Sequence, residues 1–115
     1  MKNINTLKNT LQFKEVYNKG RSLADKYLVI YALPDEGVFR LGISVSKKVG
    51  NSVERHRITR LIRESYLHYK DIIPDGYSVV IVARSAVSKK GYREVEHSFF
   101  KLLKGHKIIG EQNVS

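Results

Sequence analysis

Six cations crowd the stretch "SKKVGNSVERHRITRLIRESY", Ser46 to Tyr66: Lys47, Lys48, Arg55, Arg57, Arg60 and Arg63. Guanidinium forks bind phosphate oxygens in bidentate fashion and stack on exposed bases. The chemistry on offer is therefore polyanion binding, not bond cleavage. Hydrolysis by the chain itself would need a base, a nucleophile or a metal cage. Asp25, Asp35, Glu36, Asp71 and Asp75 are spread over expected turns and element ends, with no clustered pair of the kind that holds catalytic metals. His56, His68, His97 and His106 lack metal-ligand spacing with one another or with acids. His68 and His97 read as surface or boundary residues, whereas His56, set among cations, reads as a further ligand contact. No catalytic residue and no metal site is expected in this chain.

Charge and composition point the same way. Twenty-one Lys and Arg against eleven Asp and Glu give a formal charge of +10 on 115 residues. Nucleic acid is the commonest partner of such a field. The charge is also clustered, with seven basic residues and two acidic ones, Glu54 and Glu64, between Ser46 and Lys70. At 42% apolar residues a folded single domain spanning 1–115 is expected, with a tail that frays after about Gly105. The absence of cysteine excludes disulfides and thiolate metal sites and suits a reducing compartment. The opening "MKNINTLKNTLQF" lacks a signal-peptide apolar core, and no later run could span a bilayer. A soluble, cytoplasmic protein without membrane contact is expected.

Those cations need a scaffold. "NTLQFKEVYNKG" reads as a short helix, with Asn9 and Gln12 at capping-box spacing and Gly20 as its stop. Phe13, Val16 and Tyr17 share one side of it. "DKYLVIYAL" and "VFRLGISVS" read as strands joined by "PDEG" in a hairpin, and "GRSLA" supplies an extra short strand. In the second of these strands Phe39, Leu41, Ile43 and Val45 alternate with Arg40, Gly42, Ser44 and Ser46, giving one apolar and one uncrowded polar face. Asn51 and Glu54 again have capping-box spacing, so the central helix begins near Ser52. Its core stripe is Ile58, Leu61, Ile62, Ser65 and Tyr69. "YSVVIVAR" reads as a buried strand, and Tyr92 to Lys104 as a helix buried through Val95, Phe99, Leu102 and Leu103. The result is one α+β or α/β sandwich of helices on a mixed sheet.

On the central helix Arg60 lies opposite Ile58, with His56, Arg57 and Arg63 to its sides and Arg55 near the core boundary. The Arg pairs at i, i+3 repel by roughly 0.2–0.5 kcal/mol each. Glu64 offsets Arg60, but no acid offsets Arg63 on its own face. Uncompensated repulsion of this kind is expected where an external phosphate supplies the missing charge. The "KKVGNS" segment adds two lysines, a glycine for close approach, and free helical N–H groups. About five phosphate contacts imply a log–log salt slope near −4.5, or about 500-fold weaker binding in fourfold more salt.

Residues 7–104 resemble the bacterial ribonuclease P protein family. "SVSKKVGNSVERHRITRLIRE" matches its loop and basic helix, "QFKEVYNKGRS" its first helix with the glycine exit, and "YLVIYAL" its aromatic-bearing strand. His56 stands where the family usually has Asn, and Thr59 where it usually has Lys or Arg, which removes one phosphate contact. The resemblance implies an α-β-β-β-α-β-α sandwich (ribosomal protein S5 domain 2-like) with a central mixed sheet and a left-handed β-α-β crossover, although strand-pairing rules alone favour the right-handed form. It implies the protein component of an endoribonuclease, with one protein per RNA. The catalytic RNA subunit would remove the 5′ leader of precursor tRNA with Mg²⁺ held mainly by RNA and no organic cofactor. Lys47, Lys48, Asn51, Arg55, His56, Arg57, Arg60 and Arg63 would bind RNA, and Phe13, Tyr17, Tyr31 and Ser44 would line a leader cleft. Another class of basic RNA-binding module, ribosomal or chaperone-like, is the alternative.

Overall fold

The structure, a computed structural model, describes residues 4–110. Its elements run α1 (Thr10–Lys19), β1 (Arg21–Ala24), β2 (Leu28–Pro34), β3 (Arg40–Ser44), α2 (Ser52–Tyr69), β4 (Tyr77–Ala83) and α3 (Tyr92–Gly105). This is the expected α-β-β-β-α-β-α order, with a mixed four-stranded sheet and three helices. Both expected helix caps are present: the Asn9 side chain accepts from the Gln12 N–H at 3.0 Å and that of Asn51 from the Glu54 N–H at 2.9 Å. Each satisfies a helix-terminal donor that would otherwise lack a partner.

The sheet order is β1-β2-β4-β3, so the expected β2–β3 hairpin does not form. β2 pairs antiparallel with β1 and β4, and β3 runs parallel to β4. The physical reason is burial. Ser78, Val79, Val80 and Ile81 are all buried, so β4 fills the centre, whereas β3, with Arg40, Ile43 and Ser44 only half-buried, suits the margin. The "PDEG" segment instead arches over the start of β4. The Asp35 N–H donates to the Gly76 carbonyl at 2.9 Å, and the Gly76 N–H to the Gly37 carbonyl at 3.0 Å.

Alternation then sorts the two faces. Leu28, Ile30 and Ala32 of β2, Leu41 of β3 and Val79, Ile81 and Ala83 of β4 join Ile58, Leu61, Ile62, Val95, Phe99, Leu102 and Leu103 in the main core. Tyr66, not Tyr69, completes the α2 stripe; its ring stacks on Phe39 at 5.4 Å. Tyr69 is half-buried and donates its hydroxyl to Glu96 on α3. The opposite face carries α1, through Val16 on Val80 with Phe13, Tyr31, Leu33 and Val82 around them. Packing against the core continues past the end of α3, because His106, Ile108 and Ile109 are buried. Fraying therefore does not begin at 105, and the rest of the tail, residues 111–115, lies outside the described residues.

Asp25 locks the β1–β2 turn to α3. Its carboxylate accepts from the N–H groups of Tyr27 and Leu28, from the buried Ser98 hydroxyl at 2.7 Å, and from Lys101 at 3.2 Å. Burial pushes this carboxyl up, but the bonds from Ser98, Leu28, Tyr27 and Lys101 together outweigh it and hold the group below its ordinary value. Asp25→Ala strands several donors at once. The expected cost is about 2–3 kcal/mol, read as a lower urea midpoint at unchanged slope. A midpoint unchanged from the parent would show that the lock contributes nothing.

Candidate nucleic-acid interface

Local contacts place Lys47, Lys48 and Arg55 of the central stretch. Val49 is buried and its N–H closes a turn onto the Ser46 carbonyl at 3.0 Å, which leaves Lys47 and Lys48 on the exposed part of that turn. Asn51 is spent on the α2 cap, so its contribution is to fix where the helix starts. Arg55 donates to the Gly50 carbonyl at 2.9 Å and is half-buried, as its boundary position implied. His56, Arg60 and Arg63 are exposed.

Arg57 behaves differently from its neighbours. It is half-buried and makes a two-pronged contact with Glu54, at 2.8 and 2.7 Å. The same carboxylate accepts the Lys89 N–H at 2.5 Å, so Glu54 clasps the β4–α3 connection to the first turn of α2. That clasp went unread in the sequence because Lys89 lies 35 residues away. The arginines thus divide. Arg55 and Arg57 are tethered by their own chain, while Arg60 meets Glu64 only at 3.7 Å on an exposed surface. Such exposed pairs contribute little. Arg63, Lys47 and Lys48 meet no carboxylate among the described residues.

The Arg57 guanidinium and then the Lys89 N–H hold the Glu54 carboxyl at about 2, against an ordinary 4.5. The unfolded chain takes up this proton near pH 4.5, but the folded chain only near pH 2. The clasp therefore stabilises the fold above pH 4.5 and loses that contribution as pH falls toward 2. Glu54→Gln is expected to flatten the acid limb of stability, measured by urea unfolding at about pH 5 and about pH 3. An acid limb as steep as the parent's would contradict the clasp.

The aromatic candidates converge across the other face of the sheet. Register places Ser22, Tyr31, Val80 and Gly42 in one row, and Ala24, Val29, Val82 and Ser44 in the next. The Tyr17 and Tyr31 rings meet edge-to-face at 4.9 Å, and Phe13 lies 6.5 Å from Tyr17. Tyr17 is exposed, while Phe13, Tyr31 and Ser44 are half-buried. Gly42 makes this packing possible, since a Cβ there would sit 2.7 Å from the Phe13 ring. Phe13 and Arg63 also line one common cavity, so aromatic cluster and basic helix adjoin.

Among the described residues, no three His, Cys, Asp or Glu side chains come together as cation ligands. No helix of the described residues is long and apolar enough to cross a membrane. Fold and surface define a class: a basic α+β domain with one exposed cationic helix face and an aromatic cluster beside it.

Residues 1–107 match the sequence profile of the Ribonuclease P family. The chain is 54% identical over 105 residues to the ribonuclease P protein component of Lachnoclostridium phytofermentans, covering 90% of each. The RNase P protein of Staphylococcus aureus has the same fold, with a TM-score of 0.86 at 33% identity, covering 94% of this chain and 100% of that one. For the Thermotoga maritima RNase P protein the values are 0.75 and 29%, over 85% and 92%. The chain belongs to the ribonuclease P protein family. That membership makes it a protein component of a tRNA-processing endoribonuclease.

Proposed function

We propose that this chain docks on the catalytic RNA of ribonuclease P through Lys47, Lys48, His56, Arg60 and Arg63. The 5′ leader of precursor tRNA then lies across Phe13, Tyr17, Tyr31 and Ser44. Arg55, Arg57 and Asn51 act one step back, by fixing the start of α2 and the course of its first turn. The observation that carries this reading is the division among the arginines. Arg63 is exposed and meets no described carboxylate, on a helix whose remaining acids are already engaged.

In this reading the chemistry belongs to the RNA. Mg²⁺ is coordinated mainly by RNA phosphates, which suit a hard cation that keeps much of its water shell. One protein accompanies each RNA, in the cytoplasm. The protein neutralises phosphates and orients the leader, so its contribution is positioning and electrostatics. Leader bases are held by stacking on aromatic platforms, the common way single-stranded RNA is bound.

Recovery of the tagged protein from its native host tests this directly. One large, discrete structured RNA is expected to accompany it. Ribosomal RNA or a smear would instead favour a ribosomal or chaperone-type module.

A further inference from the structure

The cations of α2 account for only part of the positive charge. Between Arg84 and Lys107 lie seven further basic residues against two acidic ones, Glu94 and Glu96, the same balance as between Ser46 and Lys70. They also crowd the wrong end of a helix dipole. Lys89, Lys90 and Arg93 surround the start of α3, where backbone N–H groups carry partial positive charge and acids are favoured. Lys89 moreover holds φ at 65°, in the left-handed region that non-glycine residues seldom adopt.

The acids of this face are turned inward. The Glu94 side chain accepts the Gly91 N–H at 3.1 Å, Glu96 accepts the Tyr69 hydroxyl of α2, and Asp25 is spent on the lock to Ser98. The cations face outward. Lys89, Lys90, Arg93, His97 and Lys101 are exposed. Among the described residues only Lys101 of these has a carboxylate at ion-pair distance, Asp25 at 3.2 Å. Arg93, His97 and Lys101 recur every four residues, which sets them about 6 Å apart along the helix, close to the separation of successive phosphates on an RNA strand. The ridge they form runs between Glu96, which faces α2, and Ser98, which faces the β1–β2 turn.

We propose that this ridge is a second docking surface for the catalytic RNA, with Lys89, Lys90, Arg93, His97 and Lys101 meeting its phosphates. Charge complementarity selects a polyanion. Position selects the catalytic RNA, because α2 and α3 cover the same sheet face, whereas the aromatic cluster lies with α1 on the opposite one. One partner thus spans two neighbouring helices. The Glu54 carboxylate, by accepting the Lys89 N–H, fixes the start of this ridge against the first turn of α2. The assignment rests on the RNA-docking reading above and extends it to residues that have no part in it.

Lys90→Ala combined with Arg93→Ala tests it, by filter binding of the full chain to the catalytic RNA across a salt series. Affinity is expected to fall about tenfold, and the log–log slope to flatten by about 1.4–1.8 for two lost phosphate contacts. The urea midpoint should stay at the parent's, and Lys90→Gln with Arg93→Gln replaces the alanine pair if that pair does not fold. The preference of the assembled ribonucleoprotein for precursor over mature tRNA should not change. Unaltered affinity and slope, a loss at unaltered slope, or a loss confined to precursor tRNA would each overturn the proposal. The last would place substrate, not the catalytic RNA, on α3. Arg60→Ala with Arg63→Ala, measured alongside, separates the failures. A loss there with none in the α3 pair overturns this extension alone, and no loss in either overturns the wider reading with it.

Discussion

Arg60→Ala combined with Arg63→Ala is expected to lower affinity for the catalytic RNA about 100-fold. The estimate follows from two charge-assisted contacts worth about 1.5 kcal/mol each. Neither residue is buried, and only Arg60 has a described carboxylate nearby, at 3.7 Å. Removing them should leave folding stability within about 0.5 kcal/mol of the parent. The salt dependence separates a phosphate role from a shape role. Each lost phosphate contact flattens the log–log slope by about 0.7–0.9, so the double variant should lose about 1.4–1.8. Arg57→Ala provides the contrast, because its guanidinium already meets Glu54 at 2.7 Å. It should cost stability more than slope. Filter binding across a salt series measures affinity and slope, urea unfolding measures stability, and an unaltered slope in the double variant would contradict phosphate contact.

Tyr31→Ala is expected to weaken binding of precursor tRNA by the assembled ribonucleoprotein about tenfold or more, with mature tRNA unaffected. Loss of one stacked base corresponds to about 1–3 kcal/mol. Tyr31 forms the sheet side of the aromatic cluster, edge-on to Tyr17 at 4.9 Å and in the same sheet row as Gly42. Tyr31→Phe keeps the ring and should keep most of the affinity. Equal losses for precursor and mature tRNA would refute a leader-specific role and point to general loosening of α1 on the sheet.

Local signals carried much of this architecture. Asn9 and Asn51 mark both caps, Ile58, Leu61 and Ile62 mark the buried side of α2, and Val95, Phe99, Leu102 and Leu103 mark that of α3. Long-range pairing was less legible. Adjacent strands with a turn between them look like a hairpin, and only the two-sided burial of β4 explains its insertion between β2 and β3. Periodicity also selected Tyr69 over Tyr66, because it carries no information on the Phe39 ring that receives Tyr66. The strap at Asn5–Leu7 is a single bridge with no strand pattern of its own.

The candidate interface shows the same division. Arg60 and Arg63 were placed outward by helix geometry alone, and the structure exposes both. Arg57 required knowledge of Glu54 and of Lys89, which meet only once β4 and α3 are in place. Tyr17 and Tyr31 come from different elements, and their contact depends on which sheet face α1 covers.

The most direct test is cleavage of precursor tRNA by the catalytic RNA at limiting Mg²⁺, with and without this chain. Added protein is expected to restore leader removal at Mg²⁺ levels where the RNA alone is nearly inactive, and the Arg60→Ala, Arg63→Ala double variant should restore far less. Equal rates with and without the protein, or full rescue by the double variant, would contradict the claim that its exposed arginines act by meeting RNA phosphates.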